Sequence, residues 1–278
     1  MNKNLKALLL FVLTAILLCS CGIAEQKISK EGNEEFKVTV LKIGQADAII
    51  LKSSQHIAVI DCGEQDDGRE IVEYLSDCGV KEIDYMFITH FDKDHIGGAA
   101  EVMDNVAVGQ IITPNYEGSG KEYEAFIEAV KERGYTLLKL TEEMSFEFDD
   151  VACVIYPPLK TSYSESDNDF SLAISITHGE NRFLFTGDAE KERLEEILLQ
   201  AEGKYDFLKV PHHGLYEKNT EKFIESINPE YAVITCSDKN PADQYVLQIL
   251  EKYGSKTYLT SKGNVEVTSD GKNIKIFQ

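Results

Sequence analysis

Ten residues, Thr89-His90-Phe91-Asp92-Lys93-Asp94-His95-Ile96-Gly97-Gly98, follow directly on the apolar stretch Tyr85–Ile88 and constrain the chain more than any other segment. His90, Asp92, Asp94 and His95 place four potential metal ligands within six residues. An imidazole and a carboxylate two positions apart in an extended loop point the same way and can share one ion, while the adjacent Asp94-His95 pair turns toward a second. Gly97-Gly98 then permits close packing as the chain enters a helix. Such a loop needs a sheet behind it to hold its geometry.

Two further clusters stand at strand ends. Val210-Pro211-His212-His213-Gly214 follows the apolar stretch Phe207–Val210. Neighbouring histidines face opposite ways, so one is a ligand and the other a substrate or supporting contact. Spacing alone leaves open which; the working assignment takes His213 as ligand and His212 as the catalytic partner. Phe185-Thr186-Gly187-Asp188 ends a strand on a carboxylate able to bridge two metals. His56 and His178 are read as ordinary surface histidines, at a strand start and in a turn. Strand-end loops are where α/β proteins build their sites.

The pattern around these clusters is mixed. Strands are expected at Phe36–Leu41, Ala46–Leu51, His56–Ile60, Tyr85–Ile88, Ala152–Tyr156, Ser171–Thr177, Arg182–Phe185, Phe207–Val210, Tyr231–Thr235, Thr257–Leu259 and Val265–Thr268. Helical spacing marks Arg69–Ser76, Glu122–Lys131, Lys191–Leu199, Thr220–Ser226 and Asp243–Lys252. No Pro- or Ser-rich linker divides residues 36–278, which read as one α/β domain. With 43% hydrophobic and 27% charged residues the chain is neither polytopic nor disordered. Its 28 basic and 48 acidic side chains leave a net charge of −20, which opposes a diffuse electrostatic grip on nucleic acid or anionic lipid.

The amino terminus reads as an address. Lys3 and Lys6 precede the apolar run Ala7–Leu18, too short for a bilayer span of about 20 residues but suited to a secretory signal. Leu18-Cys19-Ser20-Cys21-Gly22 resembles the lipobox of bacterial lipoproteins. That resemblance makes residues 1–20 the signal peptide, Cys21 the lipidated residue, and residues 21–35 a flexible tether. Location would then be the extracytoplasmic face of the bacterial cell membrane, held by a lipid anchor. Cys62, Cys78, Cys153 and Cys236 have no C-x-x-C spacing and sit beside apolar segments, so buried free thiols are expected.

The H-x-D-x-D-H loop, Gly187-Asp188 and His212-His213 resemble the metallo-β-lactamase superfamily. The branch that looks closest is the hydrolase domain of the competence protein ComEC. Ile43-Gly44-Gln45-Ala46-Asp47-Ala48, Ile60-Asp61-Cys62-Gly63 and Asn168-Asp169-Phe170-Ser171-Leu172 match as well. The likeness covers residues 36–278 and implies an α/β fold, an αββα sandwich with a metal site at one edge. It places His90, Asp92, Asp94, His95, Asp188 and one of His212/His213 around two divalent ions, Zn or Mn. Asp47 and Asp61 fall at positions that buttress the site loops. Many members carry another ligand histidine before the strand leading to Gly-Asp; the corresponding Asp167-Asn168-Asp169 has none. The branch also has Gly, Asn and Ser where this chain has Ala46, Phe170 and Leu215.

The resemblance implies a metal-dependent hydrolase, and a phosphoester or phosphodiester is the expected substrate: a wall polymer, a lipid, a small molecule or DNA. Asp94 and Asp188 would orient hydroxide, and His212 would donate a proton to the leaving group. The alternatives are a ComEC-like nuclease linked to DNA uptake and a non-catalytic metal-bearing surface module. No protein partner is expected.

Overall fold

The computed structural model describes residues 35–164 and 167–278. The expected signal peptide, Cys21 and all but the last residue of the tether lie outside the described residues. The chain opens with an antiparallel meander, β1 (Phe36–Val40), β2 (Ile49–Lys52) and β3 (Ile57–Ile60). Helix α1 (Gly68–Asp77) then crosses over to β4 (Glu82–Phe87), which lies parallel to β3. One helical turn, α2 (Lys93–Ile96), leads into α3 (Ala99–Asn105), β5 (Ala107–Pro114), α4 (Lys121–Glu132) and β6 (Leu137–Leu140).

The second half starts with the antiparallel run β7 (Met144–Phe148), β8 (Val151–Tyr156), β9 (Ala173–His178) and β10 (Asn181–Phe185). It continues through α5 (Lys191–Gln200), β11 (Phe207–Lys209), α6 (Thr220–Ile227), β12 (Tyr231–Ile234), α7 (Gln244–Lys252) and β13 (Lys256–Leu259), with β10 to β13 parallel. Two last strands, β14 (Val265–Ser269) and β15 (Ile274–Phe277), return to the first sheet.

Two sheets result, ordered β15-β14-β1-β2-β3-β4-β5-β6 and β13-β12-β11-β10-β9-β8-β7. The strands' period-2 alternation supplies three apolar layers. Val38, Leu51, Ile60 and Phe87 of the first sheet meet Ile174, Phe183, Phe207 and Val233 of the second. Val59, Met86 and Ile111 face the other way, onto Ile71, Leu75, Val102 and Phe126 of the helices. Leu184, Leu208 and Ala232 pack outward on Leu194, Phe223 and Val246. The fold is the expected α/β class, an αββα sandwich.

Helix boundaries follow local chemistry. Asp243 caps α7 by accepting from the Tyr245 amide at 2.8 Å, and Asn228 ends α6 in the left-handed conformation. Three expectations need correction. Residues 46–48 are not strand: the Asp47 amide donates to the Asp94 carbonyl at 3.1 Å, which ties this segment to the loop after β4. His178 is fully buried and not on the surface, its Nδ1 2.8 Å from the Ser269 hydroxyl across the sandwich. Cys62, Cys153 and Cys236 are buried free thiols, but the free thiol Cys78 is exposed at the end of α1.

Candidate metal centre

Both sheets send the carboxyl ends of their parallel strands to one edge of the sandwich. After β3 comes Asp61, after β4 Thr89 and His90, after β10 Gly187 and Asp188, after β11 His212 and His213, and after β12 Thr235. This is the end at which parallel α/β sheets bind ligands. Backbone shape keeps the approach close. Gly187 has φ +52°, and a Cβ there would lie 2.8 Å from the Thr89 side chain. A Cβ on Gly98 would strike the Cys62 carbonyl and the backbone of Gly68, which explains the paired glycines of the loop.

His90, His95 and His213 are buried at this edge, and a hydroxyl or carboxylate fixes the Nδ1 atom of each. The Thr89 hydroxyl donates to Asp61 Oδ2 at 2.7 Å, so it is left to accept from His90 Nδ1 at 3.1 Å. His95 Nδ1 donates to the same Asp61 oxygen at 2.8 Å. The Thr235 hydroxyl donates to Asp47 Oδ1 at 2.6 Å and accepts from His213 Nδ1 at 2.9 Å. All three rings therefore carry their proton on Nδ1 when neutral and turn Nε2 inward.

Those inward Nε2 atoms are buried and make no hydrogen bond. They face carboxylates: His95 Nε2 lies 3.3 Å from Asp188 Oδ2, and His213 Nε2 lies 3.0 Å from Asp188 Oδ2 and 3.3 Å from Asp94 Oδ2. Asp94, His95, Asp188 and His213 each offer one donor atom, all within 4.8 Å of one another. His90 Nε2 stands 3.8 Å from Asp92 Oδ2. Unbonded buried imidazole nitrogens among carboxylate oxygens cost free energy unless a cation joins them, so this donor set fits divalent ions.

Charges shift as that crowding requires. Burial alone would raise the Asp188 carboxyl, yet His213, His95 and Lys209 hold it well below the carboxylate range. Burial alone would lower His213, yet Asp188, Asp94 and Asp47 carry it up to about 9. His95 rises well above its ordinary value despite burial, through Asp188 and Asp61.

The structure thus gathers Asp94, His95, Asp188 and His213, with His90 and Asp92 beside them. His212 lies apart. Both histidines of the pair have positive φ, +48° and +51°, a left-handed turn that sends their rings 6.3 Å apart. His212 is part-exposed, with Nδ1 3.6 Å from both Glu190 Oε1 and Glu217 Oε1. At the position lacking a third-motif histidine, Asp169 accepts from the amides of Glu190 and Arg193 at 3.1 Å each, and Asn168 donates to Glu190 at 2.8 Å.

Sequence reasoning missed Thr89, Thr235, Glu190, Glu217 and, above all, Lys209. Lys209 is fully buried. Its ammonium pairs with Asp47 and lies 3.2 Å from the Gly187 carbonyl and 3.4 Å from Asp188 Oδ1. A period-2 count along Phe207-Leu208-Lys209 puts residue 209 on the inner face with Phe207, and that was the available signal.

Residues 41–237 match the metallo-beta-lactamase superfamily. ComE operon protein 3 of Bacillus subtilis (strain 168) is 27% identical over 198 residues, 70% of this chain and 25% of that protein. Recombination protein 2 of Haemophilus influenzae is 27% identical over 272 residues, 95% of this chain and 32% of that protein. The chain therefore spans about a quarter to a third of the length of these relatives. Among solved structures, the metallo-beta-lactamase fold protein YhfI from Bacillus subtilis superposes with a TM-score of 0.55. At 11% identity, the match covers 88% of this chain and 100% of that one.

Proposed function

The chain belongs to the metallo-beta-lactamase superfamily, and from that premise we propose that it is a metal-dependent hydrolase of phosphoesters or phosphodiesters. The observation that carries this reading is the convergence of the buried His95 and His213 Nε2 atoms on the carboxylates of Asp94 and Asp188, with the His90 Nε2 facing Asp92 beside them. His90 and Asp92 would hold one ion, Asp94, His95 and His213 the other, with Asp188 shared. Two divalent ions, Zn²⁺ or Mn²⁺, would lower the pKa of water and offset charge gathering on a phosphoryl oxygen.

Asp94 and Asp188 orient the attacking oxygen from the floor of the site. His212, turned away from the ligand cluster, supplies a proton to the leaving oxygen, with the carboxylates of Glu190 and Glu217 each 3.6 Å from its Nδ1. A Cys21 lipid anchor would carry this chemistry to the extracytoplasmic membrane face, where wall polymers, lipids and small phosphoesters are within reach.

A second reading has its own observation. The curated relatives carry competence and recombination in their names, which favours a nuclease acting on DNA. The net charge of −20 weighs against nonspecific capture of a long polyanion. The test is bis-p-nitrophenyl phosphate hydrolysis by the metal-loaded chain beside an Asp94→Ala variant. Turnover lost in the variant supports the reading, and turnover equal in both would end it. Salt-sensitive cleavage of single-stranded DNA at comparable kcat/KM would move the substrate to nucleic acid.

A further inference from the structure

The Lys209 side chain is the one lysine or arginine enclosed with the cluster among the described residues, and neither the H-x-D-x-D-H loop nor its neighbouring motifs account for it. An ammonium has three N–H groups. Here three acceptors surround it: Asp47, the Gly187 carbonyl at 3.2 Å and Asp188 Oδ1 at 3.4 Å. Paired with Asp47, bonded to two further oxygens and without exposed surface, it is unsuited to act as nucleophile, proton donor or phosphate anchor.

Its placement bears on two ligands at once. By engaging Oδ1 of Asp188 it leaves Oδ2 as the oxygen turned toward His95 and His213. On its other side it pairs with Asp47, whose Oδ1 accepts from Thr235, whose hydroxyl in turn accepts from His213 Nδ1. The run Lys209–Asp47–Thr235–His213 links a strand of the second sheet to the loop before β2 and returns to the ligand histidine.

We propose that Lys209 is a positioning residue for the metal centre: it selects the oxygen that Asp188 presents and, through Asp47 and Thr235, fixes the ring of His213 with Nε2 facing the same point. The inference rests on the reading of this cluster as a metal site, and not on the identity of the substrate. It also separates two roles by sign. A mere counter-charge would repel incoming divalent ions, so its removal would tighten metal binding. A positioning group does the reverse, since loss of an outer partner weakens metal binding by about 10- to 100-fold.

The experiment is chelator-competition titration of the full chain with Zn²⁺ and with Co²⁺, reading both affinity and the visible Co²⁺ spectrum. Variants are Lys209→Met, Thr235→Val and Thr235→Ser. Lys209→Met is expected to weaken binding about 10- to 100-fold. Thr235→Val, which keeps shape and loses the hydroxyl, should weaken binding and shift the Co²⁺ spectrum. Thr235→Ser should restore both. Unchanged or tighter binding by a folded Lys209→Met variant overturns the proposal. If that variant does not fold, Thr235→Val matching wild type overturns it instead. A wild-type chain that binds no metal overturns the metal-centre reading and this inference with it. Metal binding without phosphodiester turnover overturns only the substrate, and the variants still decide the role of Lys209.

Discussion

The Nε2 atom of His213 lies 3.0 Å from Oδ2 of Asp188, an ion-pair contact without the alignment of a hydrogen bond. Around them the Nδ1 of His213 is tied to Thr235 and the Oδ1 of Asp188 faces Lys209. Donor atoms oriented toward each other but unjoined are what a cation site looks like from the protein's side. The arrangement has consequences for pH, metal affinity and folding.

The metal-free protein should lose stability as pH rises. His213 is held at about 9 by Asp188 and its neighbours against the opposing effect of burial, and His95 moves the same way. A folded-state value above the ordinary 6.5 means that the protonated ring stabilises the fold fully below about 6.5, a contribution lost as pH climbs through about 9. For His213 alone the loss is on the order of 3 kcal/mol. Metal affinity should change in the opposite direction over that interval, because the ion must displace the proton. Scanning calorimetry of chelated and Zn²⁺-loaded protein at pH 6.5 and 9 checks this; equal declines in both forms would contradict it.

Asp61 should act as an outer support of the metal loop. It is buried with φ +58° and accepts from the Thr89 amide at 2.8 Å, the Thr89 hydroxyl at 2.7 Å and His95 Nδ1 at 2.8 Å. Asparagine tolerates the backbone and keeps one accepting oxygen. Asp61→Asn is therefore expected to fold and to weaken metal binding about 10- to 100-fold, whereas Asp61→Ala should also lower the thermal midpoint. Metal competition with a chromophoric chelator measures the first effect and thermal unfolding the second.

The two neighbouring histidines should separate cleanly. His213→Ala removes a donor from the four-residue cluster and should lower bound metal per chain, seen by elemental analysis. His212 is no member of that cluster and faces Glu190 and Glu217, so His212→Ala should leave the metal of the Asp94–His95–Asp188–His213 cluster in place and lower kcat by about 100-fold or more for a substrate with a poor leaving group. With a good leaving group such as p-nitrophenolate the loss should shrink. Equal metal loss in both variants would reverse the assignment.

Much of this architecture is legible in the sequence, for identifiable reasons. Strands such as Phe183-Leu184-Phe185 are buried on both faces and read as short apolar runs, and α1 shows its core face through Ile71 and Leu75. β5 escapes because Gly109 and Gln110 interrupt its alternation; Gly109 is required where the Asp84 carbonyl approaches. β6 and β7 pair at sheet ends with one face partly exposed, so four or five residues give too little periodicity. Motif spacing exposes the ligands because their chemistry is local. Thr235 and Lys209 stay hidden because their partners, Asp47 and Asp188, arrive from distant parts of the chain.

The paired glycines of the metal loop offer a final prediction. Gly98 packs where α3 begins, against the backbone of Gly68 at the start of α1 and under the Cys62 carbonyl, with no space for a methyl group. These atoms are backbone and cannot swing aside. Gly98→Ala should therefore push α1 and α3 apart and destabilise the protein by about 1–3 kcal/mol. The Asp61-Cys62-Gly63 turn is part of the same contact, since the Cys62 amide donates to the His95 carbonyl at 2.7 Å. Displacing it should shift His95, so metal affinity should fall together with the thermal midpoint. Gly79→Ala, at the end of α1 where nothing lies near an added Cβ, carries only backbone strain and should lower the midpoint without altering metal affinity. Metal loss in both variants alike would show that the loop does not depend on this contact.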